Sequence, residues 1–169
     1  MKVAIFPGSF DPVTQGHMDI ITRSCQLFDK VMVAILHNPA KKGLFSVQER
    51  KTLLQLACAH LPTVEVIVHT GLLVDCVRMY AGAVVVRGVR TATDFESEYR
   101  MSQLNRKLLP TYDTILLPTT LTLSTVSSSV VRELLYFEGD ISSFVPTCIY
   151  QSIKDGYQNY RRDYNGRTK

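Results

Sequence analysis

A glycine-containing loop near the start of the chain carries the residues best placed for chemistry. Gly8 opens the loop, and Thr14, Gly16 and His17 close it. It follows a short apolar run and precedes a helical pattern, an order typical of a phosphate held at a helix N-terminus. An imidazole at that position can donate a hydrogen bond to a phosphoryl oxygen as charge develops. The loop therefore predicts chemistry on a nucleotide.

Two groups of basic residues add candidate phosphate ligands. Lys41 and Lys42 lie in a polar loop, where a solvated surface and a phosphate contact are both open interpretations. Arg87 directly follows an apolar run, and Arg90 lies three residues further on. Guanidinium groups at these positions can fork onto phosphate oxygens. The less favoured alternative for these arginines is surface ion pairs with Asp94, Glu96 or Glu98. Glu98 could also orient one arginine for binding.

A run of hydroxyl residues at 124–129 precedes another helical pattern. Serines in that position commonly cap a helix. Next to other phosphate donors, the same helix start also makes a second anion site. The chain contains neither GxxxxGK[ST] nor GxGxxG, which argues against P-loop ATPases and dinucleotide dehydrogenases. An inventory of donors and cations suits phosphoryl or nucleotidyl transfer by positioning and charge stabilisation.

Alternating strand and helix patterns must position these groups. Five short apolar segments predict strands at 3–6, 31–36, 64–68, 83–86 and 114–117. Helical patterns lie between them, the third over 72–80. The alternation predicts an α/β fold, a single-domain, doubly wound (Rossmann-like), five-stranded parallel sheet flanked by helices. Ligands of such sheets bind beyond the carboxyl ends of the strands, where the basic and hydroxyl residues above fall.

Several helix starts have recognisable signals. Ser46 and Glu49 form a capping box that starts the second helix. Asp94 is predicted to cap the fourth helix, and Ser127 or a neighbouring serine the fifth. The last helix is predicted to begin near Pro146.

Composition places the chain among ordinary globular proteins. The 169 residues are 46% hydrophobic and 20% charged, enough for one domain with a substantial core. No apolar run is long enough to span a bilayer, and no signal peptide is recognised, so a cytoplasmic, non-membrane protein is expected. The four cysteines, which lack metal-like spacing, are expected to be buried free thiols, as suits a reducing compartment. They are Cys25, Cys58, Cys76 and Cys148.

The positive charge of the chain is concentrated at its end. Residues 154–169 contain five basic and two acidic residues, and they therefore carry +3 of the chain's net charge of +4. We expect this tyrosine-rich segment to be a flexible tail, separate from a domain at 1–153. The domain itself is nearly neutral, which argues against nucleic acid as a partner.

The motifs together resemble a known family. The loop 8–17, with its TxGH ending, is similar to the nucleotidyltransferase superfamily. The later segments resemble bacterial phosphopantetheine adenylyltransferases, and the resemblance covers residues 1–153. Those segments are Lys41-Lys42, Phe45-x-x-x-Glu49-Arg50, Arg87-Gly88-Val89-Arg90, Asp94-Phe95-Glu96, Asn105-Arg106, Ser127 to Glu133, Gly139-Asp140 and Phe144-Val145-Pro146.

The resemblance implies the penultimate step of coenzyme A synthesis. ATP and 4′-phosphopantetheine would give dephospho-CoA and pyrophosphate, reversibly and with Mg²⁺, by in-line attack without a covalent intermediate or a dedicated base. No protein ligand for the metal is assigned. The resemblance also implies a homo-oligomer, a hexamer, with CoA as a feedback ligand.

The resemblance further assigns roles to individual residues. His17 would stabilise the transition state, and Lys41 and Arg90 would also be catalytic. Phosphopantetheine would contact Ser9, Lys41, Leu73 and Arg87. ATP would contact Ser9, Phe10, His17, Gly88, Val89, Arg90, Glu98, Leu123, Ser124, Thr125, Val126, Ser127, Ser128 and Ser129.

Two departures and two alternatives accompany this interpretation. Ser9 stands where threonine is common, which keeps the hydroxyl, and Leu123 stands where an aromatic residue is frequent, which removes a stacking contact. The first alternative is another adenylyl- or cytidylyltransferase, acting on nicotinate mononucleotide or a polyol phosphate. The second is a non-catalytic protein that binds nucleotides or, through its basic tail, nucleic acid. Arg87 with the Ser127 run argues against the first, and intact His17 and Lys41 against the second.

Overall fold

Strands and helices alternate along the chain in the computed structural model, which describes residues 1–166 and the side chains of residues 1–162. The strands are β1 (Val3–Gly8), β2 (Lys30–His37), β3 (Val64–Thr70), β4 (Val84–Val89) and β5 (Thr114–Pro118). The helices are α1 (Gln15–Leu27), α2 (Val47–Cys58), α3 (Leu73–Arg78), α4 (Ala92–Leu108), α5 (Ser128–Tyr136) and α6 (Tyr150–Gly166). Short 3₁₀ turns precede α5 (Leu121–Leu123) and α6 (Thr147–Ile149).

The five strands form one parallel sheet in the order β3-β2-β1-β4-β5. The predicted fold class and all five predicted strands are confirmed. Each strand runs further toward its carboxyl end than its predicted segment, since backbone pairing continues beyond that segment. Gly8 pairs with Ile35, and Val89 with Pro118. Gly8 and Arg87 therefore belong to strands rather than to loops.

The sheet is buried on both faces. Ala4 and Phe6 of β1 belong to one hydrophobic cluster, and Ile5 between them belongs to the other. This alternation follows from the twofold side-chain period of a strand. β1 is the central strand, and its carboxyl end pairs with β2 as far as Gly8, whereas its pairing with β4 ends at Ile5. The first loop follows directly from that end of β1.

The helix starts follow the sequence signals with one exception. Ser46 caps α2 in a reciprocal capping box with Glu49, and Ser127 caps α5. The structure corrects the fourth helix, since its cap is Thr91, whose side chain accepts a hydrogen bond from the Asp94 amide. Asp94 lies instead in the first turn of α4, where its carboxylate binds Arg90.

The last helix also begins as predicted, because the 3₁₀ turn after Pro146 leads into α6. α6 then continues through the expected domain boundary at residue 153 to Gly166, into the segment for which the sequence predicts a flexible tail. The flexibility of that tail stays a prediction, and its residues 167–169 lie outside the described residues. Along the described chain, no helix is both long and apolar enough to cross a membrane.

The cysteines are free thiols in three different environments. Cys58 and Cys76 are buried, as expected, and desolvation raises the pKa of Cys58 to about 12. Cys25 is half-buried, and Cys148 is exposed, which corrects the expectation of four buried thiols. Cys148 lies in the turn before α6, whose buried side is occupied by Ile149.

Candidate active site

A cleft of about 290 Å³ opens at the carboxyl edge of the sheet. Its floor is the end of β1, and its sides are the start of α1, the end of β4 with the first turns of α4, and the start of α5. The predicted edge is therefore where the cavity lies. Of the predicted residues, the cleft is lined by Ser9, His17, Arg87, Gly88, Arg90, Glu98, Val126, Ser127 and Ser128.

His17 is fixed by the helix start to which it belongs. Thr14 caps α1, its Oγ1 accepting a hydrogen bond from the His17 amide at 3.4 Å. The imidazole makes a second hydrogen bond to the same residue, because its Nδ1 accepts from the Thr14 amide nitrogen at 3.0 Å. Because a backbone amide can only donate, Nδ1 must be the unprotonated nitrogen. The proton of the neutral ring is thus on Nε2, the nitrogen that Thr14 does not engage.

The surroundings of His17 keep its ring uncharged. Desolvation and then the positive charges of Arg90 and Arg87 lower the pKa of His17 from 6.5 to about 4. Its ring also lies edge-on to Phe10, at 5.0 Å between centroids. At neutral pH the ring is therefore a neutral hydrogen-bond donor and not a cation.

Phe10 is a core residue, although the resemblance assigns it as an ATP contact. Its side chain is only 1% exposed, and its φ of 47° lies in the left-handed region. The ring lies beneath Gly8, where an added Cβ would stand 2.9 Å from it. Burial of the ring holds this strained backbone, and Phe10 is not part of the cleft lining. The side chain shapes the loop and supports His17.

The two arginines form ion pairs in this structure. Arg87 forms a bidentate ion pair with Glu98. Its Nε donates to Oε2 at 2.7 Å, and its Nη2 donates to Oε1 at 2.5 Å. Its third nitrogen, Nη1, donates to the Pro7 carbonyl at 2.7 Å. Arg90 pairs with Asp94 at 3.0 Å. The alternative that the sequence disfavoured is therefore present, but both pairs line the cleft and do not lie on a remote surface.

Close packing explains Gly88 and separates Val89 from the cleft. A Cβ on Gly88 would lie 2.9 Å from Cγ1 of Ile20, so a side chain there would displace α1. Val89 is buried, and its carbonyl accepts the Thr119 amide at 2.8 Å. Thr119 and Asp94 line the cleft without having been predicted to do so.

Only the middle of the hydroxyl run reaches the cleft. Ser127 caps α5, and Ser128 Oγ donates to the Pro12 carbonyl at 2.8 Å, joining α5 to the first loop. Ser129 is not part of the cleft lining and accepts a hydrogen bond from Arg132. The structure does not place Leu123, Ser124 and Thr125 on the cleft lining, because they belong to the 3₁₀ turn and the bend after it.

The predicted phosphopantetheine residues are divided between places. Lys41 and Lys42 line a neighbouring cavity of about 250 Å³, which shares Ser9 with the cleft. Arg87 lies in the cleft. Leu73 lines neither cavity and packs at the start of α3 against the second hydrophobic cluster.

Three buried or half-buried polar residues around these cavities were missed. Arg50 is 6% exposed, and its Nη1 donates to the Ser9 carbonyl at 3.0 Å. Asp11 and Arg132 line the second cavity beside it. All three lie in segments that carried the family resemblance, but the sequence indicated no role for them because their partners are backbone groups of distant loops.

Known proteins are similar to this chain in sequence and in fold. A family model described as cytidylyltransferase-like matches residues 5–134. A protein from Herpetosiphon aurantiacus named phosphopantetheine adenylyltransferase is 42% identical over 160 residues, covering 95% of this chain and 97% of that protein. One of the same name from Caldanaerobacter subterraneus subsp. tengcongensis is 45% identical over 158 residues, covering 94% and 99%.

Solved structures extend the likeness in fold. A putative nicotinate-nucleotide adenylyltransferase from Vibrio parahaemolyticus superposes with a TM-score of 0.66 at 20% identity, over 95% of this chain and 96% of that one. A bifunctional NMN adenylyltransferase/ADP ribose pyrophosphatase from Francisella tularensis gives 0.72 at 17% identity, over 97% and 53%. At such low identities the likeness concerns the fold alone.

Proposed function

The chain belongs to the cytidylyltransferase-like family and, within it, to the phosphopantetheine adenylyltransferases, and we propose that it transfers the adenylyl group of ATP to 4′-phosphopantetheine. The products are dephospho-CoA and pyrophosphate, the penultimate step of coenzyme A synthesis. The observation that carries the chemistry is the neutral His17 ring, held by Thr14 at the cleft beside two arginines.

The reaction is an in-line displacement at the α-phosphorus of ATP. A phosphate oxygen of phosphopantetheine forms the new P–O bond, and the bond to the pyrophosphate leaving group breaks. A phosphate monoester has a second pKa of about 6, so the attacking oxygen is largely ionised at neutral pH without a base. The protein supplies positioning and charge stabilisation. His17 Nε2–H donates to an α-phosphate oxygen as its negative charge grows.

The acceptor phosphate is held by cations on both sides of Ser9. Arg87 lies in the cleft, and Lys41 lies in the neighbouring cavity that shares Ser9. Because Glu98 already occupies two nitrogens of Arg87, the phosphate must replace or join that carboxylate. Binding at this wall therefore either exchanges the carboxylate for the phosphate or adds a second anion to the same guanidinium.

The nucleotide lies against the start of α5 and the end of β4. The amides of the first turn of α5, together with the Ser127 hydroxyl, form an anion site at a helix N-terminus, while the Ser128 hydroxyl is donated to the Pro12 carbonyl. Arg90 adds a cation to the same cleft. Leu123 is part of the turn outside the lining, so a stacking contact at that position is not part of this proposal.

Magnesium enters this proposal bound to the phosphates of ATP. Among the described residues, no group of three or more potential ligands is arranged to hold a metal ion. Two carboxylates at the cleft, Asp94 and Glu98, are held in ion pairs by Arg90 and Arg87. Mg²⁺ commonly binds through substrate phosphates with one or two carboxylates, and it neutralises phosphate charge when bound.

A homo-oligomer, a hexamer, is also part of the proposal. Five large apolar side chains along α4 are between 47% and 53% exposed. They are Phe95, Tyr99, Met101, Leu104 and Leu108. Exposed apolar surface concentrated on one helix is typical of a protein–protein interface. Sedimentation of the protein tests this, since a monomer would contradict it. We also propose a cytoplasmic location. We propose CoA as a feedback ligand, and inhibition of turnover by added CoA would test that part of the proposal.

The decisive experiment compares three acceptors. Pyrophosphate release from ATP and Mg²⁺ is measured with 4′-phosphopantetheine, with nicotinamide mononucleotide and with glycerol 3-phosphate. Release with phosphopantetheine alone is the expected result. Release only with the other two would overturn the proposed acceptor, and the His17→Ala variant serves as the control for contaminating activity.

A further inference from the structure

Asp11 is a buried carboxylate whose two oxygens both serve one segment of the chain. It is 6% exposed. Oδ2 accepts a hydrogen bond from the Leu44 amide at 2.8 Å, and Oδ1 accepts one from the Phe45 amide at 2.9 Å. A buried carboxylate is costly unless it is hydrogen-bonded in this way. The buried carboxylate is therefore stable only while the Leu44 and Phe45 amides stay in place to donate to it.

Residues 44–45 directly follow the exposed segment 38–43, which carries Lys41 and Lys42. Two hydrogen bonds of that segment run to Asn38, inside the segment itself. The bonds at Leu44 and Phe45 connect its far end to the first loop. The position of the two lysines beside Ser9 thus depends on the Asp11 carboxylate.

The segment lies directly on that carboxylate. A Cβ added to Gly43 would stand 2.9 Å from Asp11 Oδ2 and 3.0 Å from the Phe45 carbonyl oxygen. Distances of this size are well below van der Waals contact, so a side chain at Gly43 would push the segment and the carboxylate apart. The fit depends on glycine at this position.

The first loop is itself anchored to two helices. Arg132 Nη1 donates to the Asp11 carbonyl at 2.7 Å, which ties the loop to α5. Arg50 Nη1 donates to the Ser9 carbonyl at 3.0 Å, which ties it to α2. Asp11 therefore connects a firmly held loop to an exposed one.

We propose that Asp11 is a positioning residue for the acceptor half of the site. It holds the Lys41–Lys42 segment beside Ser9 through the Leu44 and Phe45 amides, and it acts through those lysines without touching substrate. This inference rests on the proposed function for the identity of the acceptor. It predicts that losing the carboxylate weakens binding of the acceptor and leaves binding of ATP nearly unchanged.

The first test is Asp11→Asn. The amide keeps one acceptor oxygen but turns a donor toward the second backbone amide, which breaks one of the two hydrogen bonds. We expect KM for phosphopantetheine to rise about tenfold, with KM for ATP within about twofold. Hydrogen exchange at the Leu44 and Phe45 amides should accelerate in the same variant.

Asp29→Asn is the matched control. Asp29 also accepts a backbone hydrogen bond, from the Lys2 amide at 2.6 Å, but at the amino edge of the sheet, away from the cleft. Both KM values should stay at the wild-type level in this variant. A rise in acceptor KM here would show that loss of any such aspartate has the effect, and it would overturn the inference.

A double-mutant cycle with Lys41→Ala tests the route of the effect. If Asp11 acts through the lysines, Asp11→Asn adds less in the Lys41→Ala background than in the wild type. Full additivity, or an equal rise in both KM values, would refute the inference. Gly43→Ala provides a second variant with the same expected signature and no change of charge, should Asp11→Asn fail to fold. Wild-type turnover with phosphopantetheine is measured first, and its absence would count against the proposed function itself.

Discussion

The two sides of the cleft hold their functional groups in different ways. On the α1 side, His17 is bound to the backbone amide of Thr14 and packed against the buried ring of Phe10. On the α4 side, Arg87 and Arg90 are bound to Glu98 and Asp94. The first side is fixed by contacts that a ligand cannot replace, and the second by anions that a ligand can replace.

This difference suggests a division between chemistry and binding. A donor that is already fixed costs nothing to reorganise when charge develops on the α-phosphate, so it acts in the transition state. Cations that exchange a carboxylate for a phosphate act when the substrate binds. Changes on the α1 side should therefore alter kcat, and changes on the α4 side should alter KM.

The largest expected effect is on the fixed side. His17→Ala removes the donor at the α-phosphate, and loss of such a donor lowers kcat by about 10²–10³-fold. KM values should change much less, because the contact strengthens only in the transition state. Steady-state kinetics with both substrates measures this. An unchanged kcat with a raised KM would remove the distinction between the two sides.

The next effect is the pH dependence of stability that the same ring imposes. The pKa of His17 is about 4 in the folded protein, against 6.5 for the same ring in the unfolded chain. Between pH 6.5 and about pH 4, His17 therefore binds a proton in the unfolded chain but stays mostly unprotonated in the folded protein. Stability from this group is complete above pH 6.5 and falls as pH drops toward 4. The loss between about pH 7 and about pH 5 is at most about 2 kcal/mol.

Urea unfolding at several pH values measures that loss. His17→Asn is the control, since its side-chain oxygen can still accept the Thr14 amide but does not titrate. The difference in unfolding free energy between wild type and variant should shrink as pH falls. A constant difference would mean that the ring takes up its proton as readily in the folded state.

A smaller effect is expected on the exchanging side. Arg87→Ala should raise KM for phosphopantetheine about tenfold, the size of one lost charge-assisted hydrogen-bonding group, with kcat changed only a few-fold. Arg87→Lys should restore only part of the affinity, because an ammonium lacks the planar fork. A collapse of kcat with unchanged KM would place Arg87 in the chemistry instead.

The smallest effect concerns the carboxylate partner of Arg90. Burial raises the pKa of Asp94, but hydrogen bonds and the positive charge from Arg90 outweigh it and leave that pKa lowered. Asp94→Asn removes the competing charge while keeping an oxygen for the Arg90 amide. Because partly exposed ion pairs are weak, KM for ATP should fall only about two- to threefold. A rise in KM would show that Asp94 positions Arg90 more than it competes with the nucleotide.

The sequence predicted features that depend on local patterns. Strand–helix alternation follows from apolar runs and helical periodicity, and the capping box of α2 needs only Ser46 and Glu49. The edge of the sheet that holds the site follows from parallel topology alone. His17 was found because it combines a reactive side chain with a helix start.

What the sequence could not predict depends on contacts between distant residues. The ring of Phe10 is buried because the backbone turns to a positive φ and folds it under Gly8, which no local pattern indicates. Thr91 and Asp94 are both good caps three residues apart, and the sequence does not show that Thr91 is the cap while Asp94 binds Arg90. Asp11 looked like an ordinary loop residue because its partners lie more than thirty positions away.

The strand order has a consequence for the protein while it is being made. β1 lies between β2, its near neighbour in sequence, and β4, and Arg87 reaches the Pro7 carbonyl across 80 positions of the chain. A nascent chain that has emerged only through α3 contains His17 and Lys41 but no second side to the cleft. Long-range parallel pairing is slow to form. The growing polypeptide therefore has no competent nucleotide site until β4 has joined the sheet and the start of α5 has packed beside the first loop.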